Sequence, residues 1–305
     1  MEIDAATQLA VDDFMLFEVA ATANLKAQRE QAASVLADLP ELEQRFAAQE
    51  AAIMANSTFL RNMLVDMGLS KGPAQPARAP DDEINLGIVE LTFDGLMKQM
   101  VREWTGMGAT ERTQCLGLCL SALKKHMPPS SGARSGLARV IIPGAGLGRL
   151  VWEVAMAGYE AVGIENAMTI VLAGSYVINR LLSTGREAAI HPFAALGAGP
   201  CNTQAGADVG RAVRVPDSDA SARFAEATRA AEADGSQHPH ERLQVITGDF
   251  RAVARATAGG ADAVLTCFFI DACGDPAGAI EAVGAQLAPG GVWVNCGPLE
   301  CARGD

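Results

Sequence analysis

The chain has 305 residues, 49% of them hydrophobic, which is enough for a sizeable core and far from a disordered composition. Its 24 basic and 36 acidic residues leave a formal charge of −12 with no Lys/Arg-rich run, so a phosphate-backbone partner is not expected. Seven cysteines form no CxxC pair, and the start MEIDAATQLAVDD is acidic where a secretory leader would be basic, which argues against a disulfide framework.

In chain order, residues 3–39 are Ala-rich, with Leu9, Phe14, Phe17 and Val19 at roughly helical spacing. Asp38-Leu39-Pro40 closes that segment and opens a second helix to about Met67. The proline-rich KGPAQPARAPDDE, residues 71–83, predicts a linker or exposed loop. Helical periodicity resumes over 85–104 and 110–127, with Thr110 expected as an N-cap.

The character changes at Ala138. RVIIPGAG predicts a buried strand running into a glycine turn, Leu147 to Ala157 an amphipathic helix, and EAVGIE a second strand. The apolar run from Val140 to Ala157 is interrupted by Arg149 and Glu153, so it does not read as a membrane span. A helix follows from about Ala167 to Leu182, and residues 186–242 read as a Gly-, Ala- and Asp-rich insertion, irregular over about 197–236. LQVITGDF, ADAVLTCFF and GVWVNCG supply three more strands, with PAGAIEAVGAQLAP as a helix between the last two. Strands alternating with helices predict a parallel α/β sheet with its active groups at the strands' C-terminal ends.

Gly144, Gly146 and Gly148 stand directly between strand and helix, and Glu165 ends the next strand, where a carboxylate can accept from a ribose diol. A dinucleotide fingerprint would require glycine at 149, where the chain has Arg149. The GxGxG spacing suits the amino-acid portion of S-adenosylmethionine; a nicotinamide-dependent oxidoreductase is disfavoured, and a tight turn with no ligand is the bland alternative. Asp249 closes the third strand and can accept from an adenine amino group, with Phe250 packed on the adenine face; a plain strand-end turn with a core Phe is the competing reading. ADAVLTCFFID ends an apolar run on Asp271, which reaches water, faces a ligand or caps a following helix. No metal site is expected, because His126, His191, His238 and His240 show no ligand spacing.

VIIPGAGLGRLVWEVAMAGYEAVGIE, GDF, ADAVLTCFFID and APGGVWVNCGP together resemble the carnosine N-methyltransferase family, as does the lead-in KQMVREWTGMGATERTQC. The resemblance covers about residues 90–300 and implies a class I methyltransferase (Rossmann-like) fold, a parallel sheet with helices on both faces. With the sequence pattern, residues 1–84 are expected to form an N-terminal helical region and linker and 85–305 the methyltransferase domain, with the insertion at about 186–242. It implies an S-adenosylmethionine-dependent N-methyltransferase acting on the imidazole of carnosine or a related histidine-containing dipeptide. Gln99, Arg102, Gly144, Glu165, Asp249, Phe250 and Cys267 match the donor-binding positions. Phe268 and Asp271 match the substrate-binding ones, with Asp271 as the catalytic group facing the imidazole.

A catalytically impaired donor-binding or scaffold homologue is the alternative. Cys301 and Ala302 occupy the places of a family Tyr-His pair, and the family's last strands are expected beyond the end of this chain. The expected partner is a small dipeptide rather than a nucleic acid or membrane, a homodimer is left open, and the expected location is the cytoplasm, with the nucleus also open.

Overall fold

The computed structural model describes residues 4–36, 39–70, 86–129, 136–194, 209–256 and 260–298. The elements in chain order are α1 (Ala5–Leu36), α2 (Pro40–Asp66), α3 (Leu86–Trp104), α4 (Ala109–Gln114), α5 (Leu116–His126), β1 (Arg139–Pro143), α6 (Arg149–Met156), β2 (Glu160–Glu165), α7 (Met168–Tyr176), β3 (Ala188–Ile190), β4 (Val213–Val215), α8 (Ser218–Asp234), β5 (Leu243–Thr247), α9 (Phe250–Ala256), β6 (Ala261–Cys267), α10 (Pro276–Gln286) and β7 (Leu287–Cys296).

Two compact units emerge, one formed by residues 1–106 with 176–217, the other by 107–175 with 218–305. The expected linker at 71–83 and the expected boundary at 84–85 lie outside the described residues.

The first unit is helical, with a two-stranded antiparallel ladder of β3 and β4. Its core is aromatic: the Phe93 ring on α3 lies 5.5 Å from Phe14 and 4.9 Å from Phe17 on α1, both tilted. Buried amides tie α2 to the chain around β3. Asn56 Nδ2 donates to the His191 carbonyl and the His191 N–H donates to Asn56 Oδ1, each at 2.8 Å, while Gln49 Nε2 donates to the Ala194 carbonyl at 2.8 Å. The double pairing of Asn56 offsets the desolvation cost that a buried amide would otherwise carry.

The second unit holds a five-stranded parallel sheet in the order β5-β2-β1-β6-β7. Alternation along the strands fills two layers. Val140 and Ile142 of β1 pack with Leu123 of α5 and Leu150, Val151 and Val154 of α6, whereas Ile141 packs with Phe250 and Ala254 of α9 and Ala282 and Val283 of α10. Both faces are covered by helices, which is why the strands read as continuous apolar runs. From β1 the chain moves outward to β2 and β5, then returns to the other side of β1 for β6 and β7. This reversal creates a crevice at the carboxyl ends of β1 and β6.

Two local expectations are corrected. Thr110 lies inside α4, whose N-cap position is Gly108 after the tight turn Gly106–Gly108. The stretch 197–236 is not irregular throughout, since β4 and all of α8 fall within it; residues 195–208 lie outside the described residues. The α8 sequence SDASARFAEATRAAEAD is rich in strong helix formers.

Two glycines give a matched test of helix packing in the second unit. A Cβ on Gly174 of α7 would stand 2.7 Å from the backbone oxygen of Leu147, while one on Gly284 of α10 would meet nothing within 4 Å. Gly174→Ala is expected to lower stability by about 1–3 kcal/mol through overpacking. Gly284→Ala should raise it by about 0.5–1 kcal/mol through lost unfolded-state entropy. Urea titration of both variants checks the opposite signs.

Candidate functional site

The crevice is assembled from the turn between β1 and α6 and from the ends of β2, β5, β6 and β7. Gly144, Gly146 and Gly148 all take positive φ, at 64°, 57° and 82°, a backbone that only glycine adopts freely. The turn is knitted to β2: Ala145 N–H donates to the Ile164 carbonyl at 3.0 Å and Gly146 N–H to Glu165 Oε2 at 3.0 Å. Gly148 N–H closes on the Ala145 carbonyl at 3.0 Å. These donors are engaged within the protein, unlike those of a phosphate cradle.

Glu165 is the hub. Besides Gly146, its carboxylate accepts the N–H groups of Asn166 at 2.9 Å and Ala167 at 3.0 Å through Oε1. Three backbone donors fix its rotamer at the mouth of the crevice, and the side chain remains half-buried. Gly163, two residues earlier, lets α6 press on β2; a Cβ there would stand 2.7 Å from Val151 and 2.8 Å from Ala145 side chains.

Asp249 follows Gly248 at the end of β5. Its Oδ1 accepts the Arg251 N–H at 2.8 Å, the bond of an α9 cap, and its Oδ2 pairs with the Arg251 guanidinium at 2.9 Å. Arg251 also reaches Asp275 at 3.3 Å. The Asp249 side chain is 49% exposed while it serves the helix start. Phe250 is 4% exposed and belongs to the core, its ring edge-on to Phe269 at 5.8 Å. The flanking ring Phe269, which sequence reasoning passed over, reaches the glycine turn: a Cβ on Gly144 would fall 2.6 Å from Phe269 Cδ2.

The CFFID segment leaves β6 abruptly. Phe268 has φ 52°, a left-handed conformation that is a genuine outlier for an aromatic residue, and its N–H donates to the Cys296 carbonyl at 2.9 Å. Strain of this kind costs on the order of 1–3 kcal/mol and is held by the surrounding structure. It turns the chain so that Asp271 comes round beside Gly297, whose added Cβ would lie 3.1 Å from Asp271 Oδ1. Among the described residues no hydrogen bond reaches the Asp271 carboxylate. The helix-cap reading of Asp271 is removed, because α10 starts at Pro276 and Asp275 Oδ1 takes the Gly278 N–H at 3.0 Å.

Cys267 closes β6 and is the register partner of Cys296 on β7. Burial above all, and then neighbouring thiols, push the Cys296 thiol up from its usual range. Beyond it, Trp293 Nε1 donates to Thr266 Oγ1 and Thr266 Oγ1 to Asn295 Oδ1, each at 2.8 Å, binding β7 to β6. Gly144, Glu165, Asp249, Phe250, Cys267, Phe268 and Asp271 thus belong to the second unit. Gln99 and Arg102 belong to α3 of the first, one turn apart on the same helix face. Gln99 Oε1 is buried without a hydrogen-bond partner among the described residues.

A parallel sheet in this order, with a glycine turn after its first strand and an acid ending its second, defines a Rossmann-like methyltransferase fold. The family model for carnosine N-methyltransferase matches residues 89–302, and the chain belongs to that family. The carnosine N-methyltransferase of Rattus norvegicus is 31% identical over 216 residues, which cover 68% of this chain and 48% of that protein. That of Dictyostelium discoideum is 26% identical over 274 residues, covering 86% and 55%. For that of Schizosaccharomyces pombe the values are 26% over 208 residues, covering 67% and 50%. The chain spans about half the length of the curated relatives it matches.

Proposed function

We propose that this chain binds S-adenosylmethionine in the crevice at the carboxyl ends of β1, β2 and β5. It directs the methyl group to an imidazole nitrogen of carnosine or a related histidine-containing dipeptide. The observation that carries the reading is Asp271: a half-buried carboxylate without a hydrogen bond among the described residues, presented by a strained turn beside the glycine loop. The donor site fits the residues present. Gly144 turns the chain at positive φ and lets the Phe269 ring pack on the turn, Glu165 stands ready-oriented for a diol, and the Asp249 carboxylate lies half exposed at the end of β5.

When bound, S-adenosylmethionine supplies an electrophilic methyl group on a sulfonium. The chain's part is alignment and electrostatics. Neutral imidazole predominates at pH 7, since its unperturbed pKa is about 6.5, and it is already nucleophilic. Asp271 accepts the hydrogen on one ring nitrogen, which fixes the tautomer and leaves the lone pair of the other free to attack. The same carboxylate stabilises the positive charge growing on the ring and faces the proton that the methylated ring then loses. Phe268 offers an aromatic face against the ring.

Titration calorimetry tests the donor site. The chain should bind S-adenosylhomocysteine in the micromolar range, about −8 kcal/mol, and give no heat with NADH. Glu165→Ala should weaken that binding by about 1.5–3 kcal/mol, the scale of hydrogen bonds to a charged group. Heat with NADH and none with the homocysteine product would overturn the cofactor; an unchanged affinity in a folded Glu165→Ala protein would take Glu165 off the ribose.

A further inference from the structure

Three cysteines far apart in sequence converge behind the crevice. Cys119 comes from α5, Cys267 from the last position of β6 and Cys296 from the last position of β7, and their sulfur atoms all lie within 4.8 Å of one another. We propose that Cys119, Cys267 and Cys296 form a three-thiolate site for a thiophilic closed-shell cation, zinc(II) or copper(I). Bonds of about 2.3 Å from one ion would space three sulfurs about 4 Å apart, so closure needs only a small side-chain adjustment.

The ligand set selects the ion. Soft thiolates with no imidazole or carboxylate among them favour copper(I) and zinc over magnesium, calcium or manganese. Cys119 is 1% exposed and forms the floor, while Cys267 and Cys296 are half-buried, which gives an ion an entry path and room for an outer ligand. The packing alternative, three thiols behaving as small apolar side chains among Leu116, Leu120, Val292 and Val294, predicts no ion preference at all. A bound ion would clamp α5 to the ends of β6 and β7, and so steady the Phe268 turn that follows Cys267. The site does not depend on the methyl-transfer reading, and the measurement below uses no donor or dipeptide.

The reduced 305-residue chain is titrated anaerobically with cobalt(II), as a spectroscopic stand-in for zinc, and with zinc(II) and copper(I) in separate arms. Cobalt should give near-ultraviolet thiolate-to-metal absorption saturating at one ion per chain, and the band should be lost in Cys296→Ser. Either zinc or copper should slow alkylation of Cys267 and Cys296 in the unmodified chain at least about tenfold, the lower end of what a lost metal-site interaction costs. Alkylation of Cys273, whose Sγ donates to the Phe269 carbonyl at 3.1 Å, serves as the reference that neither ion changes. The zinc and copper arms tell which ion is preferred. A cobalt band that persists in each of Cys119→Ser, Cys267→Ser and Cys296→Ser overturns the site. So does alkylation of Cys267 and Cys296 at the same rate with and without both metals, a result that stands even if a variant fails to fold.

Discussion

Glu153→Ala is expected to destabilise the second unit by about 3 kcal/mol, the low end of what breaking a buried ion pair costs. Glu153 sits one turn after Arg149 on α6 and takes that residue's Nε at 2.9 Å. It also receives Arg223 of α8 in a bidentate bond, with Nη1 at 3.0 Å and Nη2 at 2.8 Å. The side chain of Arg149 is 3% exposed and that of Glu153 14%, so removing the carboxylate takes a 2.9 Å ion pair from a guanidinium held out of water, while Asp219, 69% exposed, stands farther off at 3.9 Å. Both guanidiniums lie over Trp152, at 5.1 and 4.8 Å from its ring centroid, which softens the loss without replacing the charge. Exposed pairs elsewhere contribute far less.

The same network sets a pH dependence. Burial alone would raise the Glu153 pKa; the hydrogen bonds and charges of Arg223 and Arg149 outweigh it and hold the carboxyl below its ordinary range. A depressed carboxylate contributes stability that is present above the unfolded-state value, about 4.3, and is lost as pH falls through the lower folded-state value. Acid unfolding of the native chain should therefore steepen below about pH 4, and Glu153→Gln should flatten that slope. Urea unfolding at a series of pH values measures both; a Glu153→Ala loss under about 1 kcal/mol would place the network with surface pairs.

Arg149 shows how far the sequence could be read. Its presence at the position where a dinucleotide fingerprint needs glycine was legible. The network around it was not, because Asp219, which faces Arg149, and Arg223, which shares Glu153 with it, come from α8, some seventy residues on, in a helix with only Ala220 buried and no apolar stripe to announce it. The sheet was legible because parallel strands buried on both faces must be apolar, and because Gly144, Gly146 and Gly148 mark the one turn where helix and strand approach closely. Phe268 carried no such mark: the left-handed turn is imposed by its N–H bond to the Cys296 carbonyl across two strands. The three thiols are invisible to spacing rules, since positions 119, 267 and 296 meet only after the sheet forms. The sequence left Asp271 open between water, a ligand and a helix cap, and the Gly278 hydrogen bond separates it from the cap, which is Asp275.

That separation gives Asp271→Asn its force. The amide keeps the size and one acceptor oxygen, and no helix start depends on it, since α10 is capped by Asp275. Folding stability and affinity for S-adenosylhomocysteine should therefore stay close to those of the native chain. On the proposed reading, what is lost is the negative charge opposite the ring nitrogen and one of the two acceptor oxygens. Preorganised electrostatic stabilisation of this kind is typically worth about 10²–10³ in rate, or roughly 3–4 kcal/mol. Asparagine can also present its amide N–H₂ to the imidazole, which would favour the tautomer with the wrong nitrogen free. The measurement is single-turnover methyl transfer to carnosine at saturating S-adenosylmethionine, with donor affinity determined on the same two proteins. A selective fall in the chemical step places Asp271 at the imidazole. Equal rates at equal donor occupancy would mean that its free carboxylate faces only water.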